Sequence, residues 1–154
     1  MAIGSAKNRE LVLALKQVIN VLEDGQKGMA AIGEHLKDTT LRRYFLVESL
    51  NRANYRGALE EELHRHGIRD VHESGTVRGT LTRAWAELKA KLGGGDYTLI
   101  ETAEQGEEET LKAYKDALDR DLPLPIRQLL VGQQTHILNA ADYLRSSRDA
   151  GKAA

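Results

Sequence analysis

The chain's 154 residues suit one domain that can bury a core unaided, and the lack of cysteine excludes disulfides, thiolate zinc sites, iron–sulfur clusters and cysteine nucleophiles. Lys plus Arg number 22 against 23 for Asp plus Glu, a formal charge of -1, so there is no basic field to hold a phosphate backbone and nucleic acid is not an expected partner.

Aromatic residues make up 5% of the chain, while Ala, Leu, Glu, Lys and Arg abound, which is the composition of helices. The opening Met1-Ala2-Ile3-Gly4-Ser5-Ala6-Lys7 lacks the apolar core of a signal peptide, and no stretch approaches the roughly 20 apolar residues of a membrane span. The expectation is a cytoplasmic, soluble, all-α domain over residues 1–154, with its core from about 8 to 149 and no membrane partner.

Helix one is expected over about 8–36, capped by Asn8, with a stripe of Leu11, Leu15, Val18, Leu22, Met29 and Leu36 at helical period. Gln26 lies inside that stripe, whereas Asp24 is expected on the opposite side. Gly25, Gly28 and Gly33 cost helix propensity, so either a neighbour approaches closely there or the helix bends. Lys37-Asp38-Thr39-Thr40 reads as a short capping turn, which makes helix two, about 41–66, antiparallel to helix one. Its stripe runs Leu41, Tyr44, Phe45, Glu48, Arg52, Tyr55 and Leu59, putting a carboxylate and a guanidinium one turn apart where the pattern demands core. Gly67 stands where a C′ residue ends a helix.

The following connection holds a short extra helix, about 76–92, with Trp85 expected against the bundle's outside or its end. A crossover this long suits a bundle whose second and third helices run parallel. Gly93-Gly94-Gly95 breaks the chain, and Asp96 is placed to cap helix three, which continues to about residue 120 along Ile100, Ala103, Glu107, Leu111, Tyr114 and Leu118, with Glu104 at the margin. Pro123 and Pro125 separate it from helix four, which runs to about residue 147 through Ile126, Leu129, Leu130, Gln133, Ile137 and Leu144, with His136 on the flank.

The polar residues interrupting these stripes form one set: Gln26, then Glu48, Asn51 and Arg52, then Glu104 and Glu107, then Gln133 and His136. Di-iron carboxylate bundles place one Glu on each of two helices and a Glu-x-x-His pair on each of the other two. Here the pairs read Glu48-x-x-Asn51 and Gln133-x-x-His136, and the single positions are Gln26 and Glu107. The i, i+3 spacing puts both members of a pair within reach of one ion. Four carboxylates ordinarily offset two ferrous ions, yet this set offers fewer, with amides elsewhere and Arg52 on the face of Glu48. A guanidinium there repels cations and can itself neutralise Glu48 or Glu107.

The order and spacing of Asp24-Gly25 with Gly28, Arg52 with Tyr55, Gly79-x-Leu81-x-Arg83-x-Trp85, Gly106-Glu107-Glu108 with Lys112-Ala113-Tyr114, Leu122-Pro123 and Gln133 resemble the ferritin-like superfamily. Within it they resemble an uncharacterised bacterial family known only as a domain of unknown function, the 2383 type. The resemblance spans about residues 11–149 and implies a ferritin-like four-helix bundle with a long crossover between helices two and three, without implying a substrate.

Other chemistries find no support. Gly93-Gly94-Gly95 follows no strand and lacks the lysine of a phosphate loop, no Ser/His/Asp setting is recognisable, and His35, His64, His66 and His72 lack ligand spacing. Two function classes stand. The first is a non-catalytic protein without cofactor, whose buried polar layer fixes helix register and whose surface associates with itself or another protein. The alternative is an iron- or manganese-dependent oxidoreductase or iron-handling protein, with one ion on Glu48, Glu107 and His136.

Overall fold

The computed structural model describes residues 6–68, 85 and 87–153. Four long helices dominate: α1 (Ala6–His35), α2 (Thr39–Arg65), α4 (Asp96–Leu118) and α5 (Leu124–Ala153), with the four-residue α3 (Leu88–Lys91) ahead of α4. No strand occurs among the described residues. The molecule is an all-helical bundle. The expected crossover lies largely outside the described residues, including Gly79, Leu81 and Arg83; only Trp85, α3 and the segment leading into α4 are described.

α1 begins ahead of Asn8, so that residue is helical and not a cap; Ala6 and Lys7 are good helix formers. Asp38 caps α2, accepting from the Leu41 N–H at 2.9 Å. Gly67 takes the left-handed conformation (φ 82°) that ends α2. Asp96 does something other than capping. It is already helical, Gly95 precedes it at φ 89° without a side-chain cap, and its carboxylate accepts the N–H groups of Lys37 and Asp38 at 2.8 and 3.0 Å. These donors come from the turn between α1 and α2, so a charged hydrogen-bond acceptor at the start of α4 pins that turn.

Two apolar clusters fill the interior. One joins Met29 and Ile32 of α1, with Leu36 just past its end, to Phe45 of α2, Leu99 and Ile100 of α4 and Leu144 of α5. The other joins Leu15, Ile19 and Leu22 of α1 to Leu59 and Leu63 of α2, Ala113 and Tyr114 of α4, and Ile126 and Leu130 of α5. α2 and α4 therefore both begin at the end where α1 and α5 finish.

Trp85 enters the first cluster as a wedge and not as an outer cover. A Cβ built on Gly28 would lie 2.3 Å from its indole, and one on Gly106 would lie 2.2 Å away. The ring thus fills the space between α1 and α4 that these two glycines leave, which accounts for their cost in helix propensity. Gly33 gives room instead to Leu46 and Phe45 of α2. Asp24, expected away from the core, is only 8% exposed; it shares a face of α1 with Gly28, four residues on.

Candidate functional site: a buried arginine–carboxylate layer

Between the two clusters lies a polar layer centred on Arg52, the largest of the side chains wholly removed from solvent. Its Nη1 and Nη2 donate to the two oxygens of Glu107 at 2.7 Å each, a bidentate pairing of α2 with α4. Nη2 also reaches Glu48 Oε1, one turn back on α2, at 3.3 Å. Glu107 is fully buried and Glu48 is 3% exposed. A buried guanidinium is costly to desolvate, and this fork geometry against two carboxylates is the arrangement that repays it. Burial works against the charge on Arg52, but Glu107 more than restores it, and the guanidinium is held above its ordinary range.

The layer extends outward through Glu48. Its Oε2 accepts from Asn51 Nδ2 at 2.9 Å, and His136 Nε2 of α5 stands 3.0 and 2.9 Å from its two oxygens. Because the carboxylate only accepts, the ring proton belongs on Nε2. The His136 side chain is 38% exposed, so a continuous line of hydrogen bonds runs from Glu107 in the interior to the α5 surface. The Tyr55 ring meets the His136 ring edge to face at 5.5 Å.

A second branch ties α5 to α2 and α4. The Tyr114 hydroxyl donates to Gln133 Oε1 at 2.7 Å, and Gln133 Nε2 donates to the Tyr55 carbonyl at 3.1 Å. Burial raises the phenols of Tyr114, Tyr44 and Tyr55 above their ordinary value; the Glu48 carboxylate adds to this at Tyr44 and Tyr55.

Two members of the anticipated set lie elsewhere. Gln26 takes part only through its backbone carbonyl, which accepts from Ser49 Oγ at 2.8 Å. The α1 position facing Arg52 is Gly25, where a Cβ would sit 3.7 Å from Nη1; one residue is a 100° step, enough to turn the neighbouring amide aside. Glu104 pairs with Arg148 of α5 at 3.2 Å, nearer the end of the bundle, and burial raises its carboxyl while Arg148 partly offsets the rise. Sequence reasoning missed Ser49 and the Tyr114 to Gln133 bond. A tyrosine on the stripe seven residues after Glu107 was the available signal, since a buried phenol seeks a partner.

The fold and the site define an all-helical bundle whose interior is crossed by an arginine held between two glutamates. The sequence matches the family described as Domain of unknown function (DUF2383) over residues 10–120. That is more than half of the chain, which therefore belongs to this family. No curated protein matches it.

Proposed function

We propose that this chain is a non-catalytic, ferritin-like bundle in which the arginine–carboxylate layer stands where di-iron relatives hold metal, and that it works by associating with itself or with another protein. The ferritin-like reading is supported by the position of the layer's side chains well inside α2, α4 and α5, with Gly25 of α1 facing them. It is supported too by α2 and α4 starting at one end of the bundle, the parallel arrangement of second and third long helices that ferritin-like bundles share.

One observation carries the reading: the bidentate Arg52 to Glu107 pair with Glu48 beside it. A two-metal layer needs carboxylate oxygens and imidazole nitrogens whose lone pairs face the ions. Here both Glu107 oxygens accept from Arg52, the Glu48 oxygens accept from Arg52, Asn51 and His136, and the same His136 nitrogen that would bind metal is turned to Glu48. A fixed cation occupies the middle. This donor set does not fit a two-metal centre.

The test is elemental. Protein produced in iron- or manganese-supplemented medium and purified without chelator should carry well under one ion per chain, and added chelator should leave its melting temperature in place. One or two ions per chain with a chelator-sensitive melt would replace this reading by the metal-dependent one, with Glu48, Glu107 and His136 as ligands.

A further inference from the structure

Beside the first apolar cluster, Tyr44 of α2 and Tyr143 of α5 lie ring against ring, with centroids 4.3 Å apart and planes tilted by 36°. They stand far apart in the chain, so only the fold brings them together. Tyr44 is half-buried and meets the ring of Phe45, itself fully buried, edge to face at 5.9 Å. Tyr143 is 38% exposed and lines a cavity of about 550 Å³ with Tyr97 and Arg148. One ring of the pair is thus held by the core while the other is open to a small reagent. The side chains that ordinarily oxidise first offer little competition: the chain has no cysteine, and Met29 and Trp85 are buried.

We propose that Tyr44 and Tyr143 form an oxidative cross-linking site, at which a one-electron oxidant joins α2 to α5 through a dityrosine bond. Loss of one electron and one proton from each phenol leaves an unpaired electron shared between its oxygen and the ring carbons ortho to it. Cε of one ring then bonds to Cε of the other, and the hydrogen on each bonded carbon moves to its phenol oxygen, restoring both hydroxyls. Two electrons go to the oxidant and two protons to water, so the product is the native chain less two hydrogen atoms. The observed separation favours this step, because two rings joined by a single carbon–carbon bond keep their centroids about as far apart as these already stand. The rings have to turn and not to travel, and two groups held together in this way react as one molecule and not by encounter. The link closes a long loop of the chain and narrows the unfolded ensemble. It is a staple for a bundle that has no disulfide, and it depends neither on metal content nor on association.

The test is light-driven oxidation of the full chain, in dilute solution, by persulfate with a ruthenium tris-bipyridyl complex; persulfate accepts the two electrons and leaves as two sulfate ions. The expected product runs as a monomer under denaturing conditions, shows the blue fluorescence of dityrosine and is lighter than the native chain by two hydrogens. Digestion should yield one peptide pair, joined through Tyr44 and Tyr143, and the linked monomer should melt at a higher temperature than untreated protein. Tyr44→Phe and Tyr143→Phe keep both rings in place and should each lose the linked monomer, whereas Tyr97→Phe should retain it. Protein oxidised while unfolded in urea should lose it too, since the rings then part. Linked monomer that persists in either of the first two variants, disappears in Tyr97→Phe or forms equally well in urea overturns the proposal. So does wild-type protein that yields only covalent dimers or no dityrosine, or a linked monomer whose melting temperature is unchanged.

Discussion

Arg52 has no water to fall back on, so its worth to the fold depends on its two carboxylate partners being present together. Removing one member of such a group leaves a buried charge uncompensated, at a cost of about 3–5 kcal/mol. Arg52→Leu should therefore lower the unfolding free energy by that amount in urea melts, and a change within about 0.5 kcal/mol would mean that the arginine is not buried. Replacing Glu107 by Leu as well removes the stranded partner, so Arg52→Leu with Glu107→Leu should be less destabilised than Arg52→Leu alone. Tyr114 gives a second test. Its phenol is favoured neutral in the folded state, as are those of Tyr44 and Tyr55. An acid whose folded value is raised contributes stability that is whole below its unfolded value and is lost as pH rises through it. Stability should accordingly fall above about pH 10, and Tyr114→Phe should make that fall shallower. At neutral pH the same substitution strips Gln133 Oε1 of its donor, costing about 1–3 kcal/mol. The Glu48 and Arg52 positions were legible from helical period alone, because a charged pair one turn apart on an apolar stripe must either be buried together or break the stripe. Gln26 was not: period fixes a face to within one residue, and that one residue separates an amide from the Gly25 that makes room for a guanidinium.

At the scale of elements, the long helices could be read from their stripes, and the cap at Asp38 from its residue type. The tie from Asp96 to the α1–α2 turn could not, since it joins residues 58 and 59 positions apart that no periodicity connects. The same holds for Trp85. A tryptophan on a short amphipathic segment reads as an outer cover, and only the pairing of Gly28 on one helix with Gly106 on another reveals a slot for it. That slot makes a firm prediction. Gly28→Ala or Gly106→Ala puts a methyl group into the indole ring, and such overpacking costs about 1–3 kcal/mol. Trp85 is the only tryptophan in the chain, so its emission reports on the slot alone. Either variant should shift that emission to the red as the ring is pushed toward solvent. In Gly28→Ala, a second change of Trp85→Leu should recover part of the lost stability, as judged by thermal melts followed by circular dichroism. Unshifted emission in both glycine variants would mean that the ring lies elsewhere.

For the molecule as a whole, the question is whether a polar layer between two apolar clusters divides the bundle into two units that unfold separately. Continuity of the backbone argues that it does not. α1 and α5 have 30 residues each, α2 has 27 and α4 has 23, and each contributes side chains to both clusters. Opening one cluster would fray the helices through the layer and expose Arg52, Glu48 and Glu107 one by one, and each carries a heavy penalty when left unpaired but still partly buried. The layer then couples the ends, because its ion pairs are all made or all hydrated. Two probes can test this. Trp85 reports on the cluster beside the α1–α2 turn, and far-UV circular dichroism reports on every helix. Urea transitions followed by the two should superimpose, as for a two-state domain. In Arg52→Leu both should move to lower urea by the same amount. Two separated midpoints in the unsubstituted protein would show that the layer is a seam between independent halves, and the network would then fix helix register without joining the ends.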